Sequence, residues 1–251
     1  DKNGDYIEPQ SLRDKMTIKS TLLTMTCYYS PRQIVFEDRD LRLLYHLADE
    51  ASIAFDDECL SHLLVLQNLY KEVFHVDENR FERILDNEKW VCLGFQNNKP
   101  ATDFRGGGLL SLKGLLHICK EEPEFVEEVL AFTSEHQNYL FACVVINTLF
   151  FLKNWLHFGH AYDYRRDRDL KQCASREAVK YFLTLHEGSD VEGIQHVLFE
   201  IMRAINIKLF RYWRQSYLDN RSVKIVDFKQ AEAFVQEAFM NAFCATAARS
   251  D

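Results

Sequence analysis

Apolar side chains recur every three or four residues between positions 191 and 213, and this spacing limits the fold more than any other feature of the sequence. They share one helical face: Val191, Ile194, Val197, Leu198, Ile201, Met202, Ile205, Leu209, Tyr212 and Trp213. Such a period is typical of an amphipathic helix that buries one side. Ser189 and Glu192 have the spacing of a capping box, which predicts that the helix begins there.

The same periodicity covers most of the chain. We expect further helices over residues 41–54, 60–74, 109–119, 123–132 and 175–186. Asp227 is expected to cap a last helix that turns these side chains inward: Phe228, Phe234, Val235, Ala238, Phe239 and Ala242. Strand signals are confined to residues 34–36 and 223–226, and either segment could instead be an extended connector.

The most apolar run covers residues 139–152. A membrane-spanning helix needs about 20 apolar residues, and this run is shorter and contains Asn147. It therefore predicts a central buried helix. The fold expected is all-α: one compact multi-helix domain of about eight to ten helices over residues 31–251, with residues 1–30 peripheral to it.

Composition excludes several classes of function. The 251 residues carry a net charge of −8, which argues against nucleic acid as a partner. The seven cysteines are scattered singly, as expected for reduced thiols in a cytoplasmic protein. No cysteine pair has zinc-ligand spacing, and the nine histidines are dispersed, so we expect no metal and no cofactor. P-loop and hydrolase motifs are also absent.

Two polar segments have weaker functional alternatives. Residues 1–7 resemble the opening of a calcium-binding EF-hand loop, but Tyr6 and Leu12 replace the glycine and the bidentate glutamate that calcium requires. We expect a polar terminus that does not bind calcium tightly. Residues 164–169 are rich in arginine and aspartate, which favours a solvated loop over a contact with an acidic partner or lipid headgroup.

The segment from Trp90 to Leu115 carries the functional signal. Arg105 follows Asp103 and Phe104 and precedes three consecutive glycines. Glycine permits positive φ and close backbone approach, so an arginine in this setting can project away from the protein. A structural loop with an internal ion pair between Arg105 and Asp103 is the alternative for these residues.

The whole segment resembles the ELMO-domain family, whose pattern is W-x-x-x-G-F-Q-x-x-x-P-x-T-D-F-R-G-x-G-x-L-x-L-x-x-L. This chain matches it in register with Trp90, Gly94, Phe95, Gln96, Pro100, Thr102, Asp103, Phe104, Arg105, Gly106, Gly108, Leu110, Leu112 and Leu115. A looser resemblance runs from about residue 41 to the C-terminus. It implies an ELMO-type helical domain.

The family has two branches, and they differ in whether the motif carries an arginine at the position that resembles Arg105. ELMOD-type proteins activate GTP hydrolysis by Arf and Arf-like GTPases through a motif arginine, whereas the longer scaffolds that partner a Rac exchange factor lack it. The resemblance thus implies a GTPase-activating protein with no hydrolytic site of its own. It also implies a cytoplasmic protein that reaches endomembranes only peripherally, through its partner.

On this interpretation Arg105 is the catalytic group, donated to the GTPase in trans. Asp103 would orient it, Gly106 and Gly108 would permit backbone approach, and Trp90 and Phe95 would fix the loop. Gln96 and Thr102 would hold its turns, and Gly94 and Phe104 are the remaining supporting positions. The alternative is a non-catalytic ELMO-type adaptor that binds a small GTPase or exchange factor in membrane trafficking or cytoskeletal regulation.

Overall fold

Helices account for the regular structure in the described part of this protein. The computed structural model describes residues 36–158, 174, 176–186, 190–220 and 225–249. Of these, 78% are helical, and no strand occurs among them. The expected all-α class is therefore confirmed.

Ten α-helices occur in the described part of the chain, together with three short 3₁₀ turns. The helices are α1 (Asp38–Ser52), α2 (Leu60–Phe74), α3 (Phe81–Leu85), α4 (Lys89–Leu93), α5 (Gly108–Glu121), α6 (Pro123–His136), α7 (Phe141–Trp155), α8 (Arg176–Thr184), α9 (Val191–Asp219) and α10 (Phe228–Ala247). The 3₁₀ turns are Pro100–Thr102, Phe104–Gly106 and Ile225–Asp227.

Helix α5 lies at the centre of the packing, because it contacts α1, α2, α7 and α9. Its side chains Leu110, Leu112, Leu115 and Ile118 are fully buried. Gly114 allows α9 to come close, since an added Cβ would lie 2.7 Å from Met202 Cε. Burial of apolar side chains on so many sides supplies the main stabilisation of such a fold.

Helix α7 contains most of the apolar run, and its buried face meets α5 and α9. Thr148 and Asn206 are polar and fully buried between α7 and α9. The Asn206 amide donates to Met202 O at 2.8 Å, and the Thr148 hydroxyl donates to Val144 O at 2.9 Å. These bonds satisfy the two polar groups within their own helices, which makes their burial tolerable.

Two helix ends differ from the sequence-based expectation. Helix α9 begins at Val191 with Asp190 as its N-cap, and the Asp190 carboxylate accepts from Gly193 N at 2.7 Å. Asp190 therefore provides the cap expected of Ser189, which lies outside the described residues. Asp227 precedes α10, but its side chain makes no capping hydrogen bond.

The inward face of α10 was predicted only in part. Val235 is buried as expected, whereas Phe234 is 53% exposed and Ala242 is also exposed. Phe234 instead stacks on Tyr212 of α9, with ring centroids 4.9 Å apart. The residues that α10 buries are Ala231, Val235, Phe243 and Ala247.

Several expectations fall on residues that the structure does not describe. These are the calcium-like residues 1–7, the peripheral segment 1–30, the charged residues 164–169, Cys27 and Cys173. The five described cysteines are free thiols. None of the described helices combines the length and hydrophobicity that crossing a membrane requires.

Candidate functional site

A buried chain of aromatic rings supports the segment that leads to Arg105. Trp90, Phe95 and Phe104 are each at most 1% exposed. Trp90 packs edge-to-face on Phe95 at 5.5 Å, and Phe95 packs in the same way on Phe104 at 5.7 Å. Trp90 also donates from Nε1 to Ile84 O at 2.6 Å, which ties α4 to α3. Such ring pairs fix a loop more firmly than area burial alone.

Gly94 makes the turn that follows α4. Its φ is +94°, and a Cβ there would lie 2.3 Å from the backbone nitrogen of Phe141. Gly94 O also accepts from Cys143 N at 3.3 Å. Glycine is therefore required at this position both for the left-handed conformation and for the contact with the start of α7.

Asp103 lies between the two 3₁₀ turns and closes the loop that begins at Gln96, after α4. Its Oδ2 accepts from the backbone N–H of Gln96 at 2.8 Å, and its Oδ1 accepts from the Thr102 hydroxyl at 3.4 Å. Thr102 also donates to Lys99 O at 3.0 Å. Gln96 makes its contact through the backbone, whereas Thr102 uses its side chain.

Arg105 lies at the centre of the second 3₁₀ turn, Phe104–Gly106, and its side chain is exposed. Among the described residues we find no hydrogen bond or ion pair to its guanidinium. The internal ion pair with Asp103 is absent there; the Asp103 carboxylate accepts from Gln96 and Thr102. Asp103 thus positions the backbone before Arg105 and does not hold the guanidinium itself.

The glycines after Arg105 face the protein's own core. Gly108 has φ +54°, and a Cβ there would lie 2.3 Å from Ile53 O. The next residue, Leu109, donates its N–H to the same carbonyl at 2.8 Å. A Cβ on Gly107 would lie 2.7 Å from Leu149 Cδ2, whereas one on Gly106 would have only an ordinary contact at 3.9 Å. The close backbone approach expected at Gly108 is therefore internal.

Two apolar side chains are exposed beside this glycine segment. Phe150 of α7 is 49% exposed, and its ring is the nearest atom group to a Cβ added at Gly106. Ile53, at the end of α1, is 38% exposed, and its carbonyl contacts the start of α5. Sequence patterning did not single out either residue, because both belong to apolar stretches that predict burial. Two partly exposed apolar side chains therefore lie beside the glycine segment that follows Arg105.

The structure thus brings the sequence-predicted residues together in two layers. Trp90, Gly94, Phe95, Phe104 and Gly108 are buried beneath the loop, and the side chains of Gln96 and Arg105 are exposed. Thr102, Asp103 and Gly106 lie between these layers, partly exposed. The arrangement is a platform of buried residues that presents the guanidinium of Arg105 on its surface.

Comparison with known proteins places this platform in a family. The model of the ELMO/CED-12 family matches residues 45–234, most of the chain. The chain belongs to the ELMO/CED-12 family. The ELMO match includes all of α2 to α9 and every residue of the platform described above.

Curated ELMO proteins are similar to parts of the chain. ELMO domain-containing protein 3 of Mus musculus is 31% identical over 127 residues, which cover 48% of this chain and 31% of that protein. ELMO domain-containing protein B of Dictyostelium discoideum is 33% identical over 108 residues, covering 43% and 37%. ELMO domain-containing protein 3 of Homo sapiens is 30% identical over 149 residues, covering 56% and 37%.

These names agree with the ELMOD-type branch that the motif indicated. The chain spans about a third of the length of these curated relatives. No solved structure matches the chain significantly. The comparisons thus establish the ELMO family.

Proposed function

We propose that this ELMO domain stimulates GTP hydrolysis by a small GTPase of the Arf or Arf-like class, to which it donates Arg105. The observation that carries the proposal is the exposed Arg105 guanidinium, which has no ion pair or hydrogen bond among the described residues. A cation left without a protein partner on a rigid platform is available to another molecule. The family membership supports a small GTPase as that molecule.

The chemistry of GTP hydrolysis explains why an arginine suits this task. Negative charge develops on the phosphate oxygens in the transition state, and an arginine supplied in trans accelerates the reaction by roughly 10³–10⁵. Its planar guanidinium offers forked donors and keeps its charge at every physiological pH. The domain contributes this one group, while the GTPase contributes the nucleotide, the metal and the water. It therefore needs no hydrolytic site of its own.

The platform beneath Arg105 provides the pre-organisation that such a group needs. Phe104 and Gly108 lie on either side of it, and both are buried. The Asp103–Gln96 hydrogen bond fixes the chain just before it. A backbone held in place before docking loses little entropy when the complex forms. The long side chain of Arg105 can then reach the nucleotide without rearrangement of the loop.

Docking would use the apolar side chains beside Arg105. Phe150 and Ile53 are partly exposed at the two edges of the glycine segment. Aromatic and aliphatic side chains in such positions supply binding energy at protein interfaces, with arginine and polar groups around them. The proposal includes a cytoplasmic protein that reaches endomembranes through its GTPase.

The experiment is single-turnover GTP hydrolysis across a panel of Arf and Arf-like GTPases, with and without the 251-residue chain. We expect at least one GTPase to be accelerated, and we expect Arg105→Lys to abolish most of that acceleration. Arg211→Lys is the matched control, because Arg211 is also exposed. Its substitution removes the same forked guanidinium donors from another part of the surface.

Equal stimulation by the parent and Arg105→Lys would overturn the finger mechanism. If the GTPase binds but no variant accelerates it, the adaptor function becomes the better account. Binding by the GTP-loaded form in a pull-down, together with an unchanged hydrolysis rate, would be that result.

A further inference from the structure

A second cluster of chemistry-bearing side chains lies where α5 crosses α9, at the far end of α5 from Arg105. His117 belongs to α5, and His196 and Glu200 belong to α9. Their ligand atoms all lie within 4.8 Å of one another. Gly114, one turn before His117, lets the two helices approach closely enough for this contact.

The spacing on α9 places two of the three donors on one helical face. Residues four apart on a helix project in the same direction, so His196 and Glu200 are neighbours. His117 reaches them from the facing helix, with His117 Nε2 at 2.7 Å from Glu200 Oε1. The rings of His117 and His196 meet edge-to-face, with centroids 5.3 Å apart.

We propose that His117, His196 and Glu200 form a binding site for a divalent transition metal, with zinc as the ion that their donors fit. Two imidazole nitrogens and one carboxylate oxygen are a donor set that zinc uses where it keeps one position open to water. Calcium and magnesium prefer oxygen ligands throughout, so they do not suit it. His196 is exposed and Glu200 partly so, which leaves the open position facing solvent.

The geometry needs only a small adjustment to accept the ion. Zinc–ligand distances of about 2.0–2.2 Å in a tetrahedron place the ligand atoms about 3.4 Å apart. The His117 Nε2 and Glu200 Oε1 atoms, now 2.7 Å apart, must therefore separate slightly. The most distant pair of ligand atoms, within 4.8 Å of each other, must come closer by roughly 1.4 Å or less. Rotation of the exposed His196 ring achieves the second change, since we find no hydrogen bond to it among the described residues.

Neighbouring groups orient the carboxylate and set the local charge. Arg203 donates to Glu200 Oε2 from Nη2 at 2.6 Å and from Nε at 3.1 Å, which leaves Oε1 directed at His117. Arg203 also pairs with Glu122. The two carboxylates of Glu200 and Glu122 outnumber the single guanidinium of Arg203, which favours a cation. Hydrogen-bonded second partners of this kind commonly orient metal-binding carboxylates.

An ordinary ion-pair network is the competing interpretation. It accounts for His117, Glu200, Arg203 and Glu122 without a metal, because these groups already contact one another. It leaves His196 with only its ring contact to His117. His196 is therefore the residue that separates the two interpretations, since only the metal site requires it.

The test is calorimetric titration of the EDTA-treated 251-residue chain with zinc sulfate at pH 7.5. We expect one zinc ion per chain and at least about tenfold weaker binding in His196→Ala and in Glu200→Gln, as loss of a ligand implies. Zinc at a hundredfold excess over Kd should raise the melting temperature of the parent by about 5 °C. It should not raise that of His196→Ala.

Two controls keep the result interpretable. His75→Asn removes an exposed histidine elsewhere, at a left-handed position that asparagine tolerates, and should bind zinc as the parent does. His196→Ala should melt like the parent in EDTA, because the exposed ring contributes little to folding. Zinc binding that is unchanged in His196→Ala would assign the ion to another group, such as the exposed thiol of Cys92. That outcome, or no stoichiometric binding by the parent, would overturn the proposal.

Discussion

The backbone N–H of Gln96 donates a 2.8 Å hydrogen bond to Oδ2 of Asp103, and this bond closes the loop that precedes Arg105. It joins residues seven apart across the turn at Pro100–Thr102. Among the described residues, Arg105 makes no ion pair with this carboxylate. The bond orders the loop that precedes Arg105, and the guanidinium of Arg105 is exposed.

Arg105 should matter for activity and hardly at all for folding. Arg105→Lys should lower stimulated GTP hydrolysis by about 10³-fold or more, because lysine lacks the forked donors. Its free energy of unfolding should stay within about 0.5 kcal/mol of the parent, as for other exposed substitutions. Urea denaturation and single-turnover hydrolysis measure the two quantities. A large loss of stability would show that Arg105 has a structural role.

Trp90 should show the opposite pattern. Trp90→Ala should lower the free energy of unfolding by about 3–5 kcal/mol, since the indole is fully buried among Tyr70, Phe74 and Phe95. Activity per folded molecule should be retained at low temperature. Leu64→Ala on the exposed face of α2 is the control and should change stability little. A Trp90→Ala protein that is stable but inactive would contradict this assignment.

Gly106 and Gly108 should respond differently to the same substitution. Gly108→Ala forces a Cβ to within 2.3 Å of Ile53 O at a positive φ, and should destabilise the protein by at least about 2 kcal/mol. Gly106→Ala has room, so its stability should change by less than about 1 kcal/mol. Thermal melts of the two variants provide the comparison. If Gly106→Ala is stable yet inactive, the GTPase itself requires close approach at Gly106.

Phe150 should contribute to docking and not to the chemical step. Phe150→Ala should raise the concentration of this protein needed for half-maximal stimulation by about tenfold, in the range expected for an aromatic interface residue. The maximal rate should stay unchanged, because Arg105 is untouched. Phe234→Ala is a matched control, since Phe234 is a similarly exposed ring on α10. Equal effects of the two variants would show that Phe150 does not contact the GTPase.

The thiol of Cys143 should react much more slowly than the thiol of Cys59. Burial and the nearby Asp103 carboxylate raise the pKa of Cys143 to about 12, whereas a hydrogen bond with Ser61 lowers the pKa of Cys59. At pH 8 only about 10⁻⁴ of Cys143 is then thiolate, the form that reacts. A maleimide-type reagent should label Cys59 well before Cys143, as mass spectrometry of digested protein would measure.

Asp103→Asn removes the negative charge and should speed labelling of Cys143. No change in its rate would mean that the carboxylate does not act on the thiol.

The helices were predictable because their periodicity is local. Residues 60–74 form the helix expected, and α5, α6, α7 and α8 lie within a few residues of the expected bounds. The short helices α3 and α4 and the 3₁₀ turns around Arg105 were not anticipated. Each is too short for a hydrophobic period to be visible, and buried rings and backbone contacts stabilise them instead.

The sequence alone determined that this chain is an all-α protein of the ELMO family and that Arg105 stands out within its motif. Repeated apolar spacing and a specific run of residue types are properties of the chain itself, so they can be read without coordinates. The tertiary structure decided that Asp103 pairs with Gln96 and not with Arg105, and that Gly108 faces Ile53. It also decided that Phe150 is exposed and that His117 meets His196 and Glu200. These depend on which helix faces which, and such contacts between distant residues follow from packing in three dimensions, which no local pattern encodes.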